Sequence, residues 1–199
     1  ELSGNAQENE RLAVRTHQLT LALMRQDSAA DTLRAMAASL AEDFNGDLVR
    51  LVMFAPVEGL DDADWLQQVD ADDARLQPFR DCLADGEPLC GRLQPDKHAL
   101  LYGTRADEVQ STALLPLAGV GLVAVGSGDS NRFFPGMGTL FLRMMGEALV
   151  TALATSALRS PSASLTIRRR STMIWSISAL DRPCRAAERT CSIASCSME

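Results

Sequence analysis

Two apolar runs, Thr112–Leu117 and Leu122–Ser127, stand on either side of Ala118-Gly119-Val120-Gly121. A glycine-bearing connection this short joins antiparallel neighbours, so the pair predicts a β-hairpin. Leu48, Val49, Leu51, Val52, Met53 and Phe54 form a third, almost continuous run. A strand this apolar has to be covered on both faces, which calls for elements packed above and below one sheet. With 46% hydrophobic residues in 199, the chain has material for one sizeable core but hardly for two full domains.

The flanking segments supply helices. Nothing interrupts a helix from Ala6 to Gln26, where Leu12, Leu19 and Leu23 form one stripe and Val14, Leu21 and Met24 a neighbouring one. Two stripes suit a helix that packs on its own domain and on a partner; the same spacing also fits a plain surface helix. Asp27 or Ser28 offers an N-cap to a second helix carrying Leu33, Met36, Leu40 and Phe44, which Asn45-Gly46 stops. Leu76, Phe79 and Leu83 mark a short helix ended by Gly86, and Leu89–Leu93 reads as a short strand. Pro95 opens a helix through Tyr102, with Gly103 as its stop. Phe133-Phe134-Pro135-Gly136 then leads into a long helix with Phe141, Met145, Leu149 and Leu153 on one face. This order predicts an α+β fold, helices on a central antiparallel sheet. Between Val57 and Asp73 lie Asp61, Asp62, Asp64, Asp70, Asp72 and Asp73. Their spacing fits no calcium loop and predicts a solvated, mobile connection, with Trp65, Leu66 and Val69 in a short element at most.

The chain therefore divides into an N-terminal helix for signalling or dimerisation (1–27), an α+β domain (28–158) and an atypical tail (159–199). From Ser160 onward there are nine Ser, six Arg, three acidic residues and three Cys, with no sustained periodicity, which predicts weak order. The net charge of −7 argues against nucleic acid as a general partner. No apolar run approaches the roughly 20 residues that cross a bilayer, so no membrane partner is expected. Five dispersed Cys predict free thiols and a cytoplasmic setting.

Chemistry-bearing residues are few. His17 and His98 have no partner at ligand spacing, so neither a metal site nor a catalytic triad is predicted. Gly-x-Gly occurs at Gly119–Gly121, Gly126–Gly128 and Gly136–Gly138 without completing a phosphate-binding fingerprint. Arg50 and Arg92 interrupt apolar strands, where a guanidinium either receives an anion or pairs with one of the chain's own acids. Cys90, with Cys82, is the reactive candidate of the core, provided its thiol is exposed and its pKa depressed.

LCGRL at 89–93, STALLPL at 111–117 and GLVAVGSGDSNRFFPGMGTLFL at 121–142 carry a resemblance. They look like a family of uncharacterised proteobacterial GAF-like proteins known as domain of unknown function 484. The resemblance spans about Asn5 to Leu158, and Arg-Phe-x-Pro-Gly-Met-Gly-Thr after the hairpin is its specific part. It implies a GAF fold, with helices on one face of an antiparallel sheet and a pocket on the other; the fold leaves the ligand or cofactor unknown. The expectation is a non-enzymatic GAF-like module that senses a small, anionic ligand or binds protein, acting as a homodimer. A mainly apolar cavity between the sheet and Val57–Tyr102 would hold Arg50, Cys90, Arg92 and Ser127 near its mouth, with the acidic loop as lid. The alternative is a thiol-based redox enzyme or sensor, similar to the GAF-fold methionine sulfoxide reductases, using Cys90 and Cys82.

Overall fold

A computed structural model describes residues 2–42, 44, 46–61 and 63–159. The predicted hairpin forms between β4 (Ser111–Leu117) and β5 (Gly121–Ser127), in register from Ser111 opposite Ser127 to Leu117 opposite Gly121. The third run becomes β1 (Leu48–Met53), antiparallel to β5, with Arg50 opposite Ala124. β3 (Leu89–Gly91) adds to the far side of β4. The sheet is mixed, not purely antiparallel, because β2 (Leu66–Gln68) runs parallel to β1. The chain therefore returns past β1 before it enters β2 in the same direction. The strand order is β2-β1-β5-β4-β3.

The remaining elements are α1 (Leu2–Met24), α2 (Ala29–Glu42), α3 (Arg80–Asp85), α4 (Pro95–Tyr102) and α5 (Leu140–Arg159), with 3-10 segments at Ala74–Phe79 and Gly103–Glu108. Ser28 caps α2: its Oγ accepts the Asp31 N–H at 3.0 Å and donates to the Asp31 carboxylate at 2.6 Å. Gly86 and Gly103 end α3 and α4 at φ of 71° and 53°, conformations that side chains disfavour. Residues 160–199, and with them the expectation of a weakly ordered tail, lie outside the described residues.

Alternation along the strands sorts the core into two layers. Val49, Leu51, Met53, Ala113, Leu115, Leu117, Val123 and Val125 face α1, α2 and α5. Leu48, Val52, Leu114, Leu122 and Ala124 face the opposite way, against Leu76, Phe79, Leu101, Tyr102 and Val109. The acidic connection is anchored rather than free. Val57 and Leu60 are buried in the helix-side layer, and Arg34 donates to the Gly59 carbonyl at 2.6 Å. Asp61, Asp64, Asp70 and Asp72 stay exposed and Asp73 is half-buried, so exposed acids are interspersed with apolar anchors.

α1 packs mainly on α5 and α2 through Leu12, Thr16, Leu19 and Leu23. Its second stripe divides: Met24 packs partly, while Val14 and Leu21 are 51% and 42% exposed. The C-terminal ends of α1 and α5 meet, with Arg159 donating to the Gln26 carbonyl at 3.2 Å. Contrary to the sequence expectation, α5 has the length and composition of a bilayer span, at a mean hydropathy of 1.3 over 18 residues. Arg143 and Glu147 are diluted there by apolar and small residues; one face packs on β4 and α2.

Pro116 stands opposite Leu122 in the part of β4 that runs on past β3, whose register covers only Thr112–Leu114.

Glycines test this packing in opposite directions. A Cβ on Gly146 would meet only Leu117 Cδ2, at 3.7 Å, whereas one on Gly121 would fall 2.1 Å from the Val52 carbonyl oxygen. Gly146→Ala should therefore raise unfolding free energy by about 0.5–1 kcal/mol through helix propensity. Gly121→Ala should lower it by about 1–3 kcal/mol through strand displacement. Urea denaturation of the two variants checks both signs.

Candidate functional site

The four residues expected at one cavity mouth are not brought together. Arg50 lies on β1 on the face away from α1, α2 and α5, in register with Ala124. It is half-buried and donates to its own neighbour's carbonyl, Val49, at 3.1 Å. Cys90 belongs to the opposite, helix-side layer, where it pairs in register with Ala113. Arg92 follows β3 and is exposed. Ser127 ends β5, and its Oγ donates to Asp47 Oδ2 at 2.8 Å while accepting the Asp129 N–H at 3.2 Å.

Where the resemblance implies a pocket, the Arg50 face carries a polar pair inside an apolar layer. The Tyr102 hydroxyl donates to Thr112 Oγ1 at 3.1 Å, and burial drives the phenol's pKa up to about 12. Arg50 is near enough for its charge to favour the phenolate, a smaller effect than the burial. A Cβ on Gly126 would come within 3.0 Å of the Tyr102 oxygen and closer still to Val109. Tyr102, Phe79, Leu76 and Leu101 are each at most 3% exposed and cover this face with the chain's own side chains. His98 sits edge-on to Tyr102 with ring centroids 5.2 Å apart. Burial and the nearby Arg92 charge hold its pKa below the usual value, so the imidazole is mainly neutral at pH 7.

The two thiols occupy separate layers: Cys82 packs with Phe79 on one face of the sheet and Cys90 with α-helical residues on the other. Burial raises both pKa values, that of Cys90 to about 11. A thiol so placed is a weak nucleophile, and the sheet between the two opposes a resolving bond. Among the described residues, no three His, Cys, Asp or Glu side chains cluster as metal ligands.

A second constellation, missed apart from Ser127, ties the sheet's end to α2 and the last connection. Asp47 Oδ2 also accepts the Gly128 N–H at 2.7 Å. Ser111 Oγ donates to the Asp129 carbonyl at 2.6 Å and accepts the Phe133 N–H at 3.2 Å. Arg132 donates to the Phe44 carbonyl at 2.7 Å, and Phe133 is buried in the helix-side layer. Hydrogen bonds among short Ser and Asp side chains hold a connection rather than a substrate. The signal for this knot in the sequence is Gly-Ser-Gly-Asp at 126–129, which by itself says only that a strand ends.

The third feature is on α1. A shallow concavity along its outer flank is lined by Gln7, Glu10, Arg11, Val14, Arg15 and Gln18. Among the described residues Glu10, Arg11 and Arg15 form no ion pair, whereas Arg34, Arg75, Arg105, Arg143 and Arg159 each pair with an acid of the same chain. The stripe of Val14 and Leu21 in the sequence marks this flank; the charges beside it carry no signal until the helix is seen packed.

In the folded chain at pH 8, iodoacetamide should leave Cys82 and Cys90 unmodified and label both after denaturation, as peptide mass mapping would show. The Gly128 N–H and the Ser127 hydroxyl hold the Asp47 pKa below the usual carboxylate value. A depressed folded pKa gives stability that is full above the unfolded value, about 4. Asp47 is exposed and its bonds are screened by solvent, so wild type should exceed Asp47→Ala by at most about 1 kcal/mol at pH 7, the gap closing as pH falls through the folded pKa. Thermal melts across pH 2–7 measure it.

No curated protein matches the chain. A family model covers residues 1–156, which take in both core layers, the Ser127–Phe133 knot and nearly all of α5. The chain belongs to the family described as Protein of unknown function, DUF484.

Proposed function

We propose that the chain is a non-enzymatic, GAF-like interaction module that acts as a homodimer, its helical layer forming the contact. One observation carries this reading: the helices covering the sheet leave apolar side chains pointing outward. Val14 and Leu21 on α1 and Leu140, Met144 and Leu158 on α5 are 42–67% exposed. Apolar residues gathered on long helices of a small domain mark association surfaces. The packing of α1, α2 and α5 on one face of the sheet supports the GAF-like reading. The opposite face is occupied by Phe79, Tyr102 and Leu101, which favours binding of protein over a large ligand there. Two buried free thiols suit a reducing, cytoplasmic setting.

A second reading, sensing of a small anion, is favoured by Arg50. Among the described residues it forms no ion pair, and its acceptor is the carbonyl beside it. A guanidinium held half-buried in this way retains donors for a carboxylate or phosphate.

Native mass spectrometry of the purified chain at micromolar concentration tests both. The expected result is the dimer mass. A further mass excess, present in wild type and lost in Arg50→Ala, would add the anion reading. A monomer across that range would remove the homodimer.

A further inference from the structure

Gln7, Arg11, Val14, Gln18 and Leu21 recur along α1 at alternating intervals of four and three. That is the spacing of a seam between two helices wound on each other. At 3.6 residues per turn the seam lies on the side of α1 opposite Thr16, Leu19 and Leu23, which are buried in the chain's own core. Its two apolar members, Val14 and Leu21, stand one heptad apart and face outward. Glu10 and Arg15 lie five residues apart on opposite flanks of this seam, and both lack an ion-pair partner among the described residues.

We propose that two copies of the chain join through this flank of α1 as a parallel, in-register helix pair, with Glu10 of each copy bonded to Arg15 of the other. The proposal rests on the homodimer reading and specifies its surface and orientation. In a parallel pair the residue just before one seam position of a helix meets the residue just after the next seam position of its mate. Glu10 and Arg15 have this relation, and the two-fold axis makes the pair twice. An antiparallel pair sets each flank against the same flank of its mate, so Glu10 cannot meet Arg15 there. The Glu10–Arg15 bond therefore belongs to the parallel orientation alone. Arg11 falls on the seam itself; its stem packs while its head reaches solvent, which keeps the association modest.

Sedimentation of the full-length chain at low salt tests this with wild type, Glu10→Arg, Arg15→Glu and the double variant. Each single change sets two like-charge pairs across the seam, and the dissociation constant should rise about tenfold. The double change rebuilds both pairs reversed and should return it to within about threefold of wild type. A mixture of the two single variants should associate more tightly than either alone. Between unlike copies, both pairs across the seam then join opposite charges. Wild-type dimers whose affinity neither single change alters would overturn the parallel seam while leaving the homodimer intact. A monomeric wild type would overturn both. Thermal melting separates a lost contact from a lost fold, since both substituted side chains, Glu10 and Arg15, lie outside the buried core.

Discussion

Burial of β1, β5 and β4 on both faces is the constraint on which the rest of the molecule depends. These strands expose almost no side chain to water, so each face needs its own cover. α1, α2 and α5 cover one face, and the stretch from β2 to β4 folds over the other as two short helices and two 3-10 segments. The cover elements are individually small or weakly amphipathic and gain their order from the sheet beneath them. Arg34, reaching from α2 to Gly59, and Arg132, reaching from the last connection to Phe44, fasten loops to this cover at its rim.

Most of this arrangement was legible in the residues. Continuous apolar runs announced β1 and the hairpin; Pro95, Gly86 and Gly103 marked helix ends that the backbone confirms. β2 was not legible as a strand. Leu66, Gln67 and Gln68 carry little strand propensity, and their pairing comes from β1. The acidic connection is solvated at its carboxylates, as its composition suggests, but those carboxylates obscure Val57 and Leu60, whose burial decides its path.

The candidate site was less legible, because sequence neighbours on a strand point to opposite faces. Arg50 and Cys90 both lie in short apolar strands, yet pairing places one on the Tyr102 face of the sheet and the other beneath the helices. Only the register of β3 on β4 fixes that parity, and a three-residue strand carries no periodicity from which to read it. Ser127 is expected from the sequence at a cavity mouth, and its hydrogen-bond partner, Asp47, lies 80 residues away in sequence, beyond the reach of any local pattern.

Pro116 gives the sheet one further property. Beyond β3, β4 continues for three residues without a strand on that side among the described residues. Such a stretch, composed of Leu115, Pro116 and Leu117, would otherwise template the addition of a strand from another molecule. Proline has no N–H to offer a newcomer, and its ring obstructs a close ladder there. One residue therefore separates a strand apolar enough to hold the core from one that seeds aggregates.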